Sequence, residues 1–374
     1  MAFARERFDV FAQEYIGTRI NQSTFKKIPL LYLLVGLGGN HTATTNTIGR
    51  PGVGDVFAGK KYSKAQREAM AGVNSYQPVI LANSTDDTKK MGARDTMPTV
   101  SNATTSSHDQ LLGTAKFNWC RKATPILVWK ESLFRAERNA ASGTKGKAVA
   151  NVVATASDFA LNKHLDAWAA AFWTGTPASQ SSDPWSDVSG LTDALGSTTN
   201  TYGNVDRSVA ANAQWVPQLV SSARAAKLSS IIDEANLTLN CGIVGNGIDV
   251  VLTTPALYRT FKDEVRAKGA TIMADGLPQM GEYGFKKECL KFDNTYVMYD
   301  PLCPAGYVAC LNLETWTVIM GASEKGRNGF QVGKFVDLSE YAEGAKDALQ
   351  SMVDTRMIVA CENPRVNALF TSVS

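Results

Sequence analysis

Tyr202-Gly203-Asn204-Val205-Asp206-Arg207, with Trp215 behind it, is the first of three phrases that follow one another in a fixed order. The second runs from Val250 through Tyr258, and the third is Tyr299-Asp300-Pro301 leading to Leu311-Asn312-Leu313. Each alternates β-branched or aromatic residues with turn formers, which suits short strands and caps inside a compact domain. None gathers an acid, a base and a nucleophile, so the most patterned text in the chain points away from catalysis and toward assembly.

The surrounding composition is that of an ordinary globular protein. With 374 residues, 44% hydrophobic and 20% charged, the chain can bury a sizeable core and is expected to fold as two or three lobes. A balance of 38 Lys+Arg against 35 Asp+Glu leaves +3, too little for a protein that grips phosphates by counterion release. Six cysteines, at 120, 241, 289, 303, 310 and 361, show no paired spacing, which fits free thiols in a reducing compartment. The longest apolar run, Ile28 to Leu37 with Pro29 inside it, falls well under the roughly 20 residues of a membrane span. Mixed charges precede it, unlike the basic start of a signal peptide.

From this centre the chain can be followed outward in both directions. Residues 1 to 60 alternate apolar anchors with charge and pass into Gly- and Thr-rich text, as an arm would. Asn83 to Gln110 is Ser, Thr, Asn and charge, longer than loops usually run within compact domains. Alternation resumes at Leu112 and continues through Phe117, Trp119 and Pro125-Ile126-Leu127-Val128-Trp129, so the polar stretch is expected to tip a projecting hairpin. Thr144 to Trp173 carries the strongest helical period, with Val149, Val152, Val153, Ala156, Phe159 and Ala160 on one stripe and Leu161, Leu165, Trp168 and Phe172 on another. Ser142 or Thr144 can cap it, and Gly175 and Pro177 stop it. At 1.5 Å per residue it makes a rod of roughly 45 Å.

Beyond a Ser- and Thr-rich linker, Leu228 to Asn240 is expected to be helical and Ile248 to Leu252 a buried strand. Thr254 then sits as N-cap with Pro255 at the first helical position, where its missing N–H leaves no bond unmade. Leu257, Phe261 and Val265 face inward on the helix that follows. Thr355 to Ala360 and Ala368 to Phe370 read as two strands around the turn at Asn363-Pro364-Arg365.

Taken in order, the Phe117-x-Trp119 strand, Pro125 to Val128, the long helix, Leu191, Tyr202-Gly203 with Asp206-Arg207 and Trp215, Leu252 to Tyr258, Asp300-Pro301 and Asn363-Pro364-Arg365 resemble the major capsid protein of tailed double-stranded DNA bacteriophages. Herpesvirus capsid floors and encapsulins share that shell fold. The resemblance runs from about Trp119 to the end, and it rests on joint order and spacing. It implies an α+β fold with an N-terminal arm (1–60), an extended loop region (61–129), a peripheral domain with a spine helix (130–189), an axial domain (190–320) and returning peripheral strands (321–374). It also implies a non-enzymatic subunit of hexamers and pentamers in an icosahedral virion, put together in the host cytoplasm. The expected partners are other copies of the chain, a separate scaffolding protein, a portal, a decoration protein, and packaged double-stranded DNA held by weak non-specific contact. No cofactor, metal or membrane is implied. The candidate subunit-interface residues are Lys89, Lys90, Arg94 and Asp95 near the loop tip, together with Asp206 and Arg207.

Two alternatives have their own features. An encapsulin-like nanocompartment would use the same shell around a cargo enzyme. A nucleotide-dependent enzyme would be argued from two glycine-rich near-misses. Gly36-Leu37-Gly38-Gly39 lacks the third small residue, since position 41 is His41, and β-branched text follows it. Ala141-Ser142-Gly143-Thr144-Lys145-Gly146-Lys147 lacks both the first glycine and the hydroxyl that would hold Mg²⁺, which Ala148 replaces. His41, His108 and His164 lie too far apart for a metal site, and a structural role is expected for His164 within the long helix.

Overall fold

The computed structural model describes residues 75–76, 79–81, 112–177, 187–241, 247–267, 290–292, 295–320, 330–340 and 347–374. In chain order it opens with β1 (Ser75–Tyr76), β2 (Val79–Leu81), β3 (Leu112–Thr114) and β4 (Phe117–Asn118). Strand β2 pairs antiparallel with β3, and β1 with β4. These two short ladders lie at either end of the polar stretch, whose interior falls outside the described residues. Next come β5 (Cys120–Trp129), α1 (Lys130–Asn139), the long α2 (Lys145–Thr174) and the single turn α3 (Leu191–Leu195). A hairpin of β6 (Thr201–Tyr202) and β7 (Val205–Asp206) follows, then β8 (Gln218–Val220) and α4 (Leu228–Asp233). A π-helical turn, Glu234–Thr238, extends α4, so the expected helix from Leu228 forms with its last turns unwound.

The remainder alternates strand and crossover. Strand β9 (Val250–Thr253) leads into α5 (Pro255–Ala267), and β10 (Leu290–Phe292), β11 (Thr295–Tyr299) and β12 (Val308–Leu311) follow. The chain then makes β13 (Trp316–Met320), β14 (Phe330–Val332), β15 (Val336–Asp337), β16 (Ala348–Cys361) and β17 (Ala368–Phe370).

Two sheets organise these elements. The first is built on β16, whose fourteen residues carry β5 along one edge and β13, β14 and β15 in tandem along the other. The second runs β10-β11-β9-β12-β17-β8, with β9 parallel to β11 and β17 parallel to β8. Because β9 and β11 are parallel neighbours, α5 serves as their crossover. Thr254 caps α5 as expected: its Oγ1 accepts the Leu257 N–H at 3.3 Å. Glu264, two turns further on, reaches across to α4, where it accepts the Leu228 N–H at 2.5 Å and the Ser229 hydroxyl at 2.9 Å. One helix therefore supplies the N-terminal cap of another.

The central strands of the second sheet, β9, β12 and β17, are buried on both faces and read as near-continuous apolar runs rather than alternating ones. Val250, Leu252, Ala309, Leu311 and Leu369 face a first core shared with α2 and the first sheet. Val251, Val297, Val308, Cys310, Ala368 and Phe370 face a second core beneath α4 and α5.

The strands flanking Asn363-Pro364-Arg365 both form, as expected, and they lie in different sheets: β16 belongs to the first, whereas β17 pairs with β12 and β8 in the second. A 3₁₀ turn, Pro364–Val366, redirects the chain between them. Phe159, placed by its period on an apolar stripe of α2, is 64% exposed. It shares a face with Thr155, Asn162 and Asp166, and the Lys163 ammonium lies 4.6 Å from its ring centroid. Gly175, the residue that follows the last turn, has no room for a side chain, since a Cβ there would lie 2.4 Å from both the Ala171 and Val188 carbonyl oxygens.

Candidate functional site

The β6–β7 hairpin carries the phrase with which the sequence is most distinctive. Gly203 and Asn204 have φ of +58° and +65°, the pair of left-handed residues that a two-residue type I′ turn requires. The turn lies against the base of β4: a Cβ on Gly203 would approach Phe117 Cζ to 2.7 Å, and the Lys116 N–H donates to the Gly203 carbonyl at 2.8 Å. Tyr202, fully buried, stacks edge-on to Phe117 at 5.2 Å and tilts against Trp215 at 5.6 Å. Its hydroxyl accepts the Cys361 N–H from β16 at 2.8 Å, while Trp215 Nε1 donates to the Tyr202 carbonyl at 2.9 Å. Tyr202 thus ties the hairpin to the first sheet through its hydroxyl, and Trp215 ties the hairpin to the turn that follows it through its indole N–H.

Arg207 completes this node from within. Its guanidinium, only 3% exposed, lies 4.6 Å from the Tyr202 ring centroid. Nε donates to the Trp215 carbonyl at 3.0 Å and Nη2 to the Ala194 carbonyl at 2.7 Å. Nη1 donates to the carbonyls of Ser197 and Asp193 and to Asn200 Oδ1 at 2.9 Å. These acceptors include the last carbonyls of α3, which a short helix leaves without intrahelical partners. Burial lowers the Arg207 pKa from its ordinary value, and the ring of oxygens supports the charge in place of water.

Asp206 and Arg207 do not pair with one another. Asp206 is exposed, and its Oδ1 accepts the Ser208 N–H at 2.8 Å and hydroxyl at 2.7 Å. Those two bonds lower its pKa. The carboxylate that does lie near Arg207 is Asp193, in the first turn of α3. Burial raises it to about 6, against the opposing influence of the Ser189 hydroxyl and of Arg207.

A second buried group lies midway along α2. His164 Nδ1 is 2.9 Å from Thr124 Oγ1 on β5, and Nε2 is 2.8 Å from Thr355 Oγ1 on β16. Trp168 Nε1, one turn further along α2, donates to the same Nε2 at 3.1 Å. An indole N–H can only donate, so Nε2 carries the lone pair and Nδ1 carries the proton. The neutral ring therefore pins the helix to two strands of the first sheet, and burial lowers its pKa to about 4.

A third group joins the two sheets. Asn367, fully buried between β16 and β17, accepts the Asn312 N–H at 2.9 Å and Trp316 Nε1–H at 3.1 Å through Oδ1. Its Nδ2 donates to Thr315 Oγ1 at 2.9 Å and to the Asn363 carbonyl at 3.0 Å. Two of the places where the chain steps between sheets, β12 to β13 and β16 to β17, are thereby fastened at one side chain. Sequence reasoning missed Asn367 and Asp193. The available signal was a polar residue set inside an apolar run, Val366-Asn367-Ala368 and Leu191-Thr192-Asp193-Ala194-Leu195.

Of the expected interface residues, Lys89, Lys90, Arg94 and Asp95 lie outside the described residues, as do the 1–60 arm and the Gly36 to Gly39 turn. Ala141 to Lys147 joins α1 to α2, with Gly143 at φ +95°; it follows a helix rather than the strand a phosphate-binding loop needs. Cysteines 120, 241, 303, 310 and 361 are buried free thiols, and burial pushes Cys241 and Cys361 up to about 12, far from reactive thiolate. Among the described residues no cluster of His, Cys, Asp or Glu could hold a metal, and no helix is long and apolar enough to cross a membrane. On the face of the first sheet turned away from α2, Pro125 and Trp129 of β5 and Met352 of β16 are exposed, with Trp129 at 46% and Met352 at 43%.

No family model matches the sequence, and no curated protein sequence matches it. Its architecture does have counterparts. The capsid asymmetric unit of cyanophage A-1(L) superposes with a TM-score of 0.53 at 13% identity, over 80% of this chain and 88% of that one. The chain has the fold of a phage capsid subunit. In the capsid fold the long helix α2, the β16 sheet and the six-stranded sheet form the described body. Two further likenesses have lower scores: the encapsulin of Synechococcus elongatus PCC 7942 has a TM-score of 0.44 at 12% identity, covering 70% of this chain and 76% of that one. The corresponding figures for a structure from mycobacterium phage Bobi are 0.43 and 15%, with 80% and 86% covered.

Proposed function

We propose that this chain is a shell-forming protein, the major capsid protein of a tailed double-stranded DNA phage, which assembles as hexamers and pentamers into the icosahedral wall of a virion. The observation that carries the reading is the capsid fold itself, matched over 80% of the chain. The buried polar groups support it: Arg207, His164 and Asn367 all bond to backbone or side chains within the protein, as parts of a scaffold do. The exposed Trp129 and Met352 offer apolar surface of the kind an interface between copies covers.

In this reading the peripheral lobe comprises α1, α2 and the β16 sheet, and the axial lobe is the six-stranded sheet with α4 and α5. Trp316–Met320 then goes with the peripheral lobe and Ala368–Phe370 with the axial one. Asp206, exposed at the hairpin, remains available to a neighbouring copy, while Arg207 serves its own subunit. Lys89, Lys90, Arg94 and Asp95 would reach a neighbour through the extended loop. A scaffolding protein, a portal and a decoration protein would complete the particle, and a net charge of +3 suits an inner wall that touches packaged DNA without fastening it. Electron microscopy of the purified protein, with analysis of native particles for DNA or protein cargo, tests the proposal. Closed shells with genomic DNA are expected. A cargo enzyme in its place would mark a nanocompartment, and a chain that stays monomeric at high concentration, with or without scaffolding protein, would overturn the reading.

A further inference from the structure

Two buried ionisable groups in the first core are placed so that protonation acts on them in opposite directions. His164 lies between α2, β5 and β16, and its Nε2 already accepts from Trp168, which cannot reverse its N–H. A proton on Nε2 would meet that N–H head-on, even though the Thr355 hydroxyl on the other side could turn to accept it. The charged groups facing the ring are Asp354 on β16, which favours the imidazolium, and Lys122 on β5, which opposes it. Neither is free to move toward it: Arg121 holds Asp354 at 2.8 Å and Asp187 holds Lys122 at 2.6 Å. Geometry therefore fixes His164 in its neutral form.

Asp193 has the reverse arrangement. Its carboxyl group is buried at the start of α3, and its donors are the Ser189 hydroxyl and a long 3.4 Å contact from Asn200 Nδ2. Arg207, the cation of the node, directs its hydrogen bonds to the Asp193, Ala194, Ser197 and Trp215 carbonyls and to Asn200 Oδ1. Tyr202, also facing the node, brings no positive charge and has its hydroxyl engaged by Cys361. A carboxylate so poorly compensated gains from a proton. The two sites belong to one packed body: Leu165 and Trp168 beside His164, and Leu191 and Ala194 beside Asp193, share the first core, and Thr192 Oγ1 donates to the Trp173 carbonyl at the end of α2 at 2.7 Å.

We propose that His164 and Asp193 act as an opposed pair of buried proton sites, one weakening and the other strengthening the core as the medium acidifies, so that each offsets the other's effect on the subunit's stability through mildly acidic pH. For His164, lowered from 6.5 to about 4, the unfolded chain binds more protons between those values, and stability falls as pH falls through that window. For Asp193, raised from 3.8 to about 6, the folded chain binds more, and stability rises as pH falls through its window. Between pH 7 and pH 5 linkage gives a roughly 20-fold loss in the folding constant from the first and a roughly tenfold gain from the second. The two act in opposite directions.

Denaturant unfolding of the full-length unassembled chain at pH 7 and pH 5 tests this, each variant being read against wild type so that common contributions drop out. Asp193→Asn should lose stability on acidification about tenfold more steeply than wild type. His164→Gln should tilt the other way, becoming more stable relative to wild type by about 20-fold. Slopes that match wild type in both variants, or that tilt the same way, overturn the proposal. Should His164→Gln not fold, the His164 ring signals of the wild-type protein decide in its place: they should keep the neutral Nδ1–H form down to pH 5, and charging by pH 6 would refute the pairing. The measurement concerns the single subunit, so its outcome is independent of whether shells form.

Discussion

The two faces of the six-stranded sheet are packed on different principles. Toward α2 and the β16 sheet the core contains a buried arginine, histidine, aspartate and asparagine among its aromatic rings, each held in place by named donors and acceptors. Toward α4 and α5 the core is Ile231, Ile232, Phe261, Val265, Phe370 and the thiols of Cys241 and Cys310. A dry core tolerates exchange of shapes as long as volume is kept, whereas a buried polar network allows one arrangement and penalises all others. The polar side is also where the elements are least local: it joins β4, α2, α3, the hairpin and the crossings from β12 to β13 and from β16 to β17. Directional bonds there fix angles that apolar contact alone would leave loose.

The largest effect should follow from breaking the node. Arg207→Met would keep much of the apolar stem but leave the Ala194, Ser197 and Trp215 carbonyls buried without a donor, costing about 3 to 5 kcal/mol in unfolding free energy. Arg207→Lys should recover less than half of that loss, because an ammonium cannot span acceptors arranged around a planar fork. Chemical denaturation of the unassembled chain measures both. If lysine restored wild-type stability, charge alone would be the requirement and the directional account of this core would fail.

The opposite core supplies the contrast. Phe261→Leu removes part of a fully buried ring on α5 among aliphatic neighbours that can close over it, and the expected loss is about 1 to 1.5 kcal/mol. A loss as large as that of Arg207→Met would show that this side too is a rigid fit, and the distinction between the two faces would disappear.

The same distinction separates what the sequence made legible from what it did not. Helix α2 declared itself through apolar residues at helical spacing over thirty positions, and α5 through Thr254-Pro255 followed by Leu257, Phe261 and Val265. Both signals lie within a single element, where period and capping act locally. The roles of Arg207 and Asn367 depend on hydrogen-bond partners 7 to 14 and 4 to 55 residues away, which no local pattern encodes. Asn363-Pro364-Arg365 announced a turn correctly, yet whether the strand beyond it folds back on β16 or leaves for another sheet is settled by Asn367 and its distant partners. Asp206-Arg207 showed the limit most clearly: adjacent opposite charges suggest a pair, but Asp206, at the end of β7, is exposed while Arg207, the next residue, turns into the core.

That divergence leads to the smallest expected effect and the one that bears most on assembly. Asp206→Asn keeps the Oδ1 acceptor that the Ser208 N–H and hydroxyl require while removing the exposed charge, so the unfolding midpoint of the isolated chain should not change measurably. Particle formation should respond instead. If Asp206 faces a cationic group on a neighbouring copy, the variant should assemble more slowly, and its assembly rate should depend less steeply on salt than that of wild type, because a charge pair at an interface acts chiefly on encounter and is screened by ions. Light scattering across a salt series measures that slope. An unchanged slope would mean that Asp206 serves only its own turn, and the hairpin would then contribute to the shell solely by holding Tyr202 and Arg207 in the polar core behind it.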